Sequence, residues 1–263
     1  MGLKSIFGAL FALAMLFILG VYYFSPYNGL ELSIQPKNYN FSTTDESGMQ
    51  FYNKMRFPTN DITYFIDNEC SLMKKQEMRD AFNIIEGLTS LNFTPSKLNQ
   101  DISITCNETN RYEKGMFIAG EGGPSQIVKS GEYNVITGGT ILLIRDSDCE
   151  RPNIAIHELL HVLGFAHSNN PNNIMYNFTK CSQVIGQDTI DLIEELYSES
   201  PLPNLMFEDV SASIDKRSLD LNASIRNAGL AKTPAPSKLL IKINGDTIKE
   251  LDIEKWKLDT ECP

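Results

Sequence analysis

Three histidines lie at spacings that allow them to share one metal ion. His157 and His161 are four residues apart, so on an α-helix, which turns about 100° per residue, their imidazoles lie on one face, one turn apart. Gly164 follows, and glycine can adopt the left-handed conformation that ends a helix and reverses the chain, which would bring His167 to the same ion. Three nitrogen ligands leave one position of a tetrahedral zinc for water, as in catalytic sites. Glu158 stands beside the first ligand, where its carboxylate can take a proton from that water.

The alternative is an ordinary apolar helix that carries core histidines. HExxH alone recurs by chance because two of its positions are free. The chain, however, contains only three histidines, and all three occupy the ligand positions of the longer pattern HELLHVLGFAH, residues 157–167. The longer pattern therefore favours a catalytic zinc site.

HExxHxxGxxH resembles the signature of the metzincins, in which a methionine-containing turn lies beneath the metal. The stretch HSNNPNNIMY supplies such a methionine: Ser168 follows the third histidine and Met175 lies eight residues after it, both as in the matrixins. Astacins and serralysins place a metal-contacting tyrosine two residues after the methionine, but Asn177 occupies that position here. The resemblance implies a Met-turn at Met175 and argues against a tyrosine ligand.

The similarity to matrixins extends along both flanks. NDITYFID, the amphipathic stretch from Met73 to Ile85, and DISITC resemble the first strand, the long helix and a later strand of a matrixin catalytic domain. MFIAGEGGP and GGTILLIRD resemble its edge strand and the strand before the active-site helix, and IGQDTIDLIEELYSES resembles its last helix. The resemblance covers about residues 55–200 and implies an α/β (α+β) fold, a metzincin catalytic domain with a twisted five-stranded, mostly parallel sheet and long helices.

The first 24 residues differ in character from the rest. Residues 6–24 form a run of nineteen without a charge, which as a helix rising about 1.5 Å per residue crosses roughly 30 Å of hydrocarbon. Lys4 precedes the run, and a positive flank keeps the N-terminus cytoplasmic. We predict a single-pass anchor in the cell membrane at residues 1–24, a polar linker at 25–54, and a catalytic domain outside. The alternative is a cleaved signal and a secreted protein.

Cysteines and glycosylation sequons also predict an external location. Cys70 follows the first predicted strand and Cys106 ends a later one, so a parallel sheet would bring them together; Cys149 and Cys181 bracket the zinc helix and the Met-turn. We predict these two pairs as disulfides, with Cys262 left over, and buried free thiols are the alternative because connectivity is not readable from sequence. The sequons are at Asn40, Asn92, Asn107, Asn177 and Asn222.

The pattern changes after Pro201. LMFEDVSASI, SLDLNASIRNAG and SKLLIKINGDTIKEL alternate apolar and polar residues, and Asn244 and Gly245 predict a hairpin turn. The Asn-Ala-Gly element and its spacing resemble the opening strands of an adhesion-type, immunoglobulin-like module. Because about 60 residues are few for a complete sandwich, we expect a small β-sandwich-like, β-rich module at residues 204–263, and the fold around Trp256 stays open.

The resemblance implies a zinc endopeptidase with one catalytic zinc ion. Glu158 would activate the attacking water and return the proton to the leaving amine, and an extended substrate would pair with the edge strand near Met116 to Gly120. No histidine remains for a second zinc, although carboxylates and carbonyls still allow calcium. No cysteine lies in the Pro-Arg-Cys-Gly context of the matrixin latency switch, so residues 25–54 carry no recognisable inhibitory segment.

The partners follow from the charge and from the proposed chemistry. A formal net charge of −10 argues against nucleic-acid binding, which needs a basic face, and favours a protein or peptide substrate and the membrane as partners. The sequence does not indicate an oligomeric state. The rival function is a surface adhesion or binding protein with an inactive metzincin domain. Intact Glu158 argues against that reading, because a binding module needs no general base.

Overall fold

A computed structural model describes most of the chain beyond the N-terminal region. Apart from residue 15, the predicted membrane anchor lies outside the described residues, as do Asn40, Trp256 and Cys262. Within the described part, no helix combines the length and the apolar character needed to cross a membrane. The described residues are 15, 31–34, 48–107, 111–113, 116–146, 149–215, 218–233 and 237–253.

The described residues form strands and helices in an alternating order typical of a mixed α/β domain, followed by strands alone. The strands are β1 (Glu31–Ile34), β2 (Met55–Arg56), β3 (Asp61–Ile66), β4 (Asn92–Pro95), β5 (Ile102–Cys106), β6 (Arg111–Glu113), β7 (Met116–Ser130), β8 (Tyr133–Leu143), β9 (Phe178–Thr179), β10 (Leu205–Asp215), β11 (Ser218–Asn227), β12 (Ser237–Ile243) and β13 (Asp246–Ile253). The helices are α1 (Leu72–Leu88), α2 (Asn153–Val162) and α3 (Gln187–Ser198).

Five strands form the centre of the main sheet, in the order β4-β3-β5-β8-β7. The first four are parallel and β7 is antiparallel to β8, which confirms the predicted mostly parallel arrangement, although the whole sheet has nine strands and not five. Strands β1 and β9 extend the sheet beyond β7, whereas β2 pairs with β8 and β6 pairs with β7. Ile102 and Ile104 of β5 are fully buried and alternate as a half-buried strand requires.

Helix α1 packs its apolar side into the core beside α2. Met78, Phe82 and Ile85 recur at helical spacing and are all buried, as the sequence predicts. Ser71 begins the helix as its N-cap, where its Oγ accepts a hydrogen bond from Lys74 N at 3.2 Å. The loop before the helix is joined to the end of β5 by one of the two predicted disulfides, Cys70–Cys106.

A buried arginine ties the start of the domain to its last helix. The side chain of Arg56 is 1% exposed, and it donates hydrogen bonds to the carbonyl of Leu196 and, at 3.2 Å, to that of Glu199, at the C-terminal end of α3. Its guanidinium also lies over the ring of Tyr197, 4.4 Å from the centroid. A cation at this end satisfies carbonyls that have no partner within the helix and complements the helix dipole. Burial lowers the pKa of Arg56.

The C-terminal region consists of two antiparallel hairpins, β10–β11 and β12–β13. Asn244 and Gly245 both have positive φ, 51° and 94°, which confirms the predicted turn. The turn after β11 docks on the tip of the β7–β8 hairpin, where buried Ser130 donates from Oγ to Gly229 O at 2.7 Å. Asn227 shapes this turn, because its Oδ1 accepts hydrogen bonds from the backbone N–H groups of residues 204 and 229.

Candidate metal centre

Helix α2 and the turn after it bring the three histidines together. Every residue from Asn153 to Val162 is buried, and the Nε2 atoms of His157 and His161 lie 2.9 Å apart on one face. After the helix ends, Gly164 adopts φ +97°, the left-handed conformation that turns the chain back. His167 then places its Nε2 3.2 Å from that of His161, as the sequence predicts.

Two backbone carbonyls fix which ring nitrogens face the centre. His157 donates from Nδ1 to Ile174 O at 2.6 Å, and His161 donates from Nδ1 to Phe165 O at 2.7 Å. A carbonyl can only accept, so Nδ1 carries the proton and Nε2 keeps a free lone pair. Such bonds from the second ring nitrogen orient metal-binding histidines.

The donor set fits a zinc ion. Unprotonated Nε2 atoms as close as 2.9 and 3.2 Å repel one another unless a cation lies between them. Nitrogens about 2.1 Å from a tetrahedral zinc stand about 3.4 Å apart, close to the spacing observed. Within the ranges that the structure describes, these histidines are the one group of three or more His, Cys, Asp or Glu side chains placed to share an ion.

The surroundings keep all three rings neutral. Burial, and secondly the repulsion that a protonated His167 would exert, lowers the pKa of His157 to about 3. Burial also lowers the pKa of His167 to about 4, and burial with both neighbouring rings lowers that of His161. Neutral imidazole is the form that binds metal.

Two glycines of β7 allow that strand to lie directly against Glu158, which is fully buried. A Cβ added at Gly120 would stand 2.9 Å from Glu158 Oε1, and one added at Gly122 would stand 2.4 Å from the backbone oxygen of Glu158. Neither glycine has a role predicted from the sequence, although the run GEGG is a signal of close backbone approach. Strand β7 therefore forms the wall against which the candidate general base is positioned.

The predicted Met-turn supports the first histidine through its backbone. Met175 is 2% exposed, its N–H donates to Asn173 Oδ1 at 2.8 Å, and its carbonyl accepts from Ser168 N at 2.8 Å. These bonds hold the turn close to the loop that carries the third histidine. The preceding residue, Ile174, presents the carbonyl that orients His157, a contact that side-chain patterns do not reveal.

The backbone of residues 49–51, just before β2, is hydrogen-bonded to the turn around Gly164. Phe51 N donates to Gly164 O and Ala166 N donates to Met49 O, each at 2.9 Å. The Phe51 ring is fully buried and stacks on the ring of His161, with centroids 5.6 Å apart. Met49 and Phe51 fall within the predicted polar linker, whereas the structure packs them against the metal centre.

The second disulfide links the two ends of the segment that carries the metal centre. Cys149 and Cys181 are bonded, which is the second pair predicted from the sequence, and they flank α2 and the Met-turn. Asn153, at the start of α2, donates from Nδ2 to Lys180 O at 2.8 Å. The disulfide attaches the loop after the Met-turn to the segment before the histidine-bearing helix, and the hydrogen bond attaches it to the first turn of that helix.

Comparison with known proteins agrees with this geometry. The family model described as Matrixin matches residues 56–198, a little over half of the 263 residues. The chain belongs to the matrixin family. The match contains Glu158, all three histidines and Met175, so this part of the chain is a matrixin-like metalloprotease domain, and the family implies zinc and a protein or peptide substrate. No curated protein matches the chain significantly.

Proposed function

We propose that this matrixin is a zinc endopeptidase that hydrolyses peptide bonds. The observation that carries the proposal is the convergence of three Nε2 lone pairs, within 4.8 Å of one another, beside a fully buried glutamate. Three histidine ligands leave a coordination position for a reactant. A protein that only bound its partners would need neither the open position nor the carboxylate.

The residues of the site divide the chemistry between them. Zinc, when bound by His157, His161 and His167, supplies a Lewis acid that polarises a carbonyl and acidifies water. The carboxylate of Glu158 accepts a proton from the attacking water and delivers it to the leaving amine. Strand β7 orients the carboxylate from one side, and the burial of α2 excludes bulk water, which strengthens each electrostatic interaction.

Two substitutions in one helical turn test the proposal. Glu158→Gln keeps the shape and all three imidazoles, so zinc binding should persist while the cleavage rate falls by about 10²-fold or more. His161→Ala removes a ligand, so zinc content and cleavage should fall together, with a lower melting temperature because metal binding no longer stabilises the folded state.

The measurements are zinc per chain and hydrolysis of an unstructured protein such as casein, before and after chelation. Full activity in the Glu158→Gln variant would exclude the mechanism. Zinc binding by the native chain with no cleavage of any peptide would instead favour the surface-binding alternative. The same metal analysis tests for calcium, which the sequence allows.

We further propose that residues 1–24 anchor the protein in the membrane and that the catalytic domain lies outside the cell. Two disulfides support an oxidising compartment, and the sequons at Asn92 and Asn222 are exposed, as glycan attachment requires. Protease treatment of intact cells should remove the domain. Cleavage only after lysis would exclude this topology.

We propose that residues 204–263 form a small immunoglobulin-like module. Both hairpins alternate apolar and polar residues, and they expose large apolar side chains, among them Phe207, Val210 and Ile248, each more than half exposed. Packing the hairpins face to face would cover this surface. Nuclear Overhauser contacts between β10–β11 and β12–β13 would support the module, and their absence would count against it.

A further inference from the structure

Residues 49–51 pair with the turn that carries the chain from α2 to the third histidine. The middle residue, Gln50, forms an antiparallel bridge with Phe165, and two backbone hydrogen bonds of 2.9 Å flank that bridge. The carbonyl of Phe165 is the group that accepts a hydrogen bond from Nδ1 of His161 at 2.7 Å. The pairing therefore fixes, from outside the turn, the carbonyl that orients the second histidine.

The loop that follows residues 49–51 packs beneath the same turn. The buried side chain of Gln50 accepts a hydrogen bond from Met55 N at 3.1 Å and donates one to Met55 O at 2.7 Å. Met55 is fully buried, and a Cβ added at Gly164 would stand 2.6 Å from its Cγ and Sδ. The left-handed turn at Gly164 therefore rests on Met55, whose backbone is held by the side chain of Gln50.

The ring of Phe51 completes this support by lying against a zinc ligand. It is fully buried, and it stacks on the imidazole of His161 with centroids 5.6 Å apart and planes inclined by 19°, a favourable offset arrangement for two aromatic rings. His161 is the middle ligand, because its Nε2 lies 2.9 Å from that of His157 and 3.2 Å from that of His167. A rotation of its ring would misdirect its lone pair with respect to both neighbours.

The hydrogen bond from Nδ1 restricts that rotation only in part. A hydrogen bond weakens steeply only when its angle falls below about 120°, so the bond to Phe165 O leaves the imidazole of His161 some freedom about its Cβ–Cγ bond. To tilt, the imidazole would have to move the Phe51 ring, which belongs to the hydrophobic core and is held by close packing. The same ring keeps water from one face of the ligand.

We infer that Phe51 is a positioning residue of the metal centre, whose ring holds the imidazole of His161 at the angle at which all three Nε2 atoms meet on one ion. The family match begins at residue 56, so this contribution comes from residues that precede the matched region. The inference rests on the proposed function for its effect on cleavage, whereas its effect on metal affinity needs no catalytic step.

A substitution of the ring tests this role in the full chain. Phe51→Leu removes the flat ring and keeps an apolar side chain. Outer groups that orient a metal-binding histidine typically contribute 10- to 100-fold to metal affinity or activity, so we expect the zinc Kd to rise by about tenfold and, at saturating zinc, kcat to fall by about tenfold with KM nearly unchanged. Cobalt(II), which binds the same nitrogen ligands, reports their geometry through its visible absorption bands, and these should change in intensity.

Phe57→Leu is the matched control. Phe57 is 1% exposed and belongs to the same hydrophobic core, but its backbone N–H bonds to Tyr197 Oη rather than to the turn after α2. Both substitutions should lower the melting temperature by a similar amount, whereas Phe57→Leu should leave the zinc Kd and the cobalt bands at their native values. If Phe51→Leu does not fold, Phe51→Met, whose flexible side chain refills the space, takes its place in the same measurements.

The outcomes separate this inference from the proposed function. Weaker zinc binding and altered cobalt bands in Phe51→Leu alone support the positioning role, whereas a native zinc Kd in Phe51→Leu, or an equal rise in both variants, overturns it. If these metal responses are observed but the native chain cleaves no peptide, the peptidase function fails and the assignment of Phe51 stands. If the native chain cleaves casein while Phe51→Leu binds zinc normally, the positioning role fails and the function stands.

Discussion

Replacing Gly120 by alanine should impair catalysis while leaving the fold and the metal intact. The added Cβ would stand 2.9 Å from both Cγ and Oε1 of Glu158, whereas ordinary contact begins near 3.4 Å. The flexible carboxylate must therefore retreat by about 0.5 Å. Since a displacement of about 1 Å in a catalytic group can cost about 10²-fold, we expect kcat to fall by roughly 10- to 100-fold.

Gly122→Ala is the matched control, two residues along the same strand. Its Cβ would stand 2.4 Å from the backbone oxygen of Glu158, so β7 and α2 must separate by about 1 Å, and no side-chain rotation relieves the contact. Overpacking of this kind typically costs about 1 to 3 kcal/mol. We therefore expect Gly122→Ala to lower the free energy of unfolding and Gly120→Ala to leave it nearly unchanged.

Three measurements on each full-length variant distinguish these outcomes: bound zinc, urea unfolding and initial rates of peptide hydrolysis. All rates are expressed relative to the native chain. Native kcat in Gly120→Ala would refute the idea that β7 positions the carboxylate. Loss of zinc in that variant would show instead that the strand supports the ligands.

Three further predictions concern stability. Replacing both Cys149 and Cys181 by alanine should lower the free energy of unfolding by about 3 to 4 kcal/mol, which is the loop-closure value for their separation of 32 residues. A decrease of less than about 1 kcal/mol, measured by urea unfolding, would contradict this prediction. Arg56→Met should lower the free energy of unfolding by about 2 to 4 kcal/mol because carbonyls at the end of α3 lose a charged donor. The control Lys54→Met, at an exposed ion pair, should lower it by less than about 1 kcal/mol. Similar denaturation midpoints for the two variants would contradict this difference. Ser130→Ala removes the hydroxyl that donates to the carbonyl of Gly229, so amide hydrogen exchange in the β10–β11 hairpin should accelerate by about tenfold. The rate of peptide hydrolysis should not change. Unaltered exchange would argue against this docking contact.

Much of the metal centre could be predicted because its residues obey local rules. The helical period fixes the relation of His157 to His161, and Gly164 supplies the one conformation that returns the chain within three residues. The Cys70–Cys106 bond followed from the topology, since parallel strands end at the same edge of a sheet. In each case the signal lay in residue type and spacing within one or two elements.

The parts that the sequence did not reveal depend on backbone groups that meet across distant elements. Gly120 and Gly122 acquire their role from a helix more than thirty residues later, so no local period marks them. The carbonyl of Ile174 could have come from any residue type. Strand β1 is too short for a periodic pattern and pairs through its backbone, and for this reason its residues resemble a polar linker.

The β7–β8 hairpin connects the candidate metal centre with the turn after β11. Gly120 lies against Glu158 and Ser130 donates a hydrogen bond to the turn after β11, and these ten residues of strand span at most about 33 Å. A substrate gripped at both places must therefore supply roughly ten extended residues, or a folded body of that width, between its scissile bond and its second contact. Hydrolysis of short peptides would therefore report on the cleft alone.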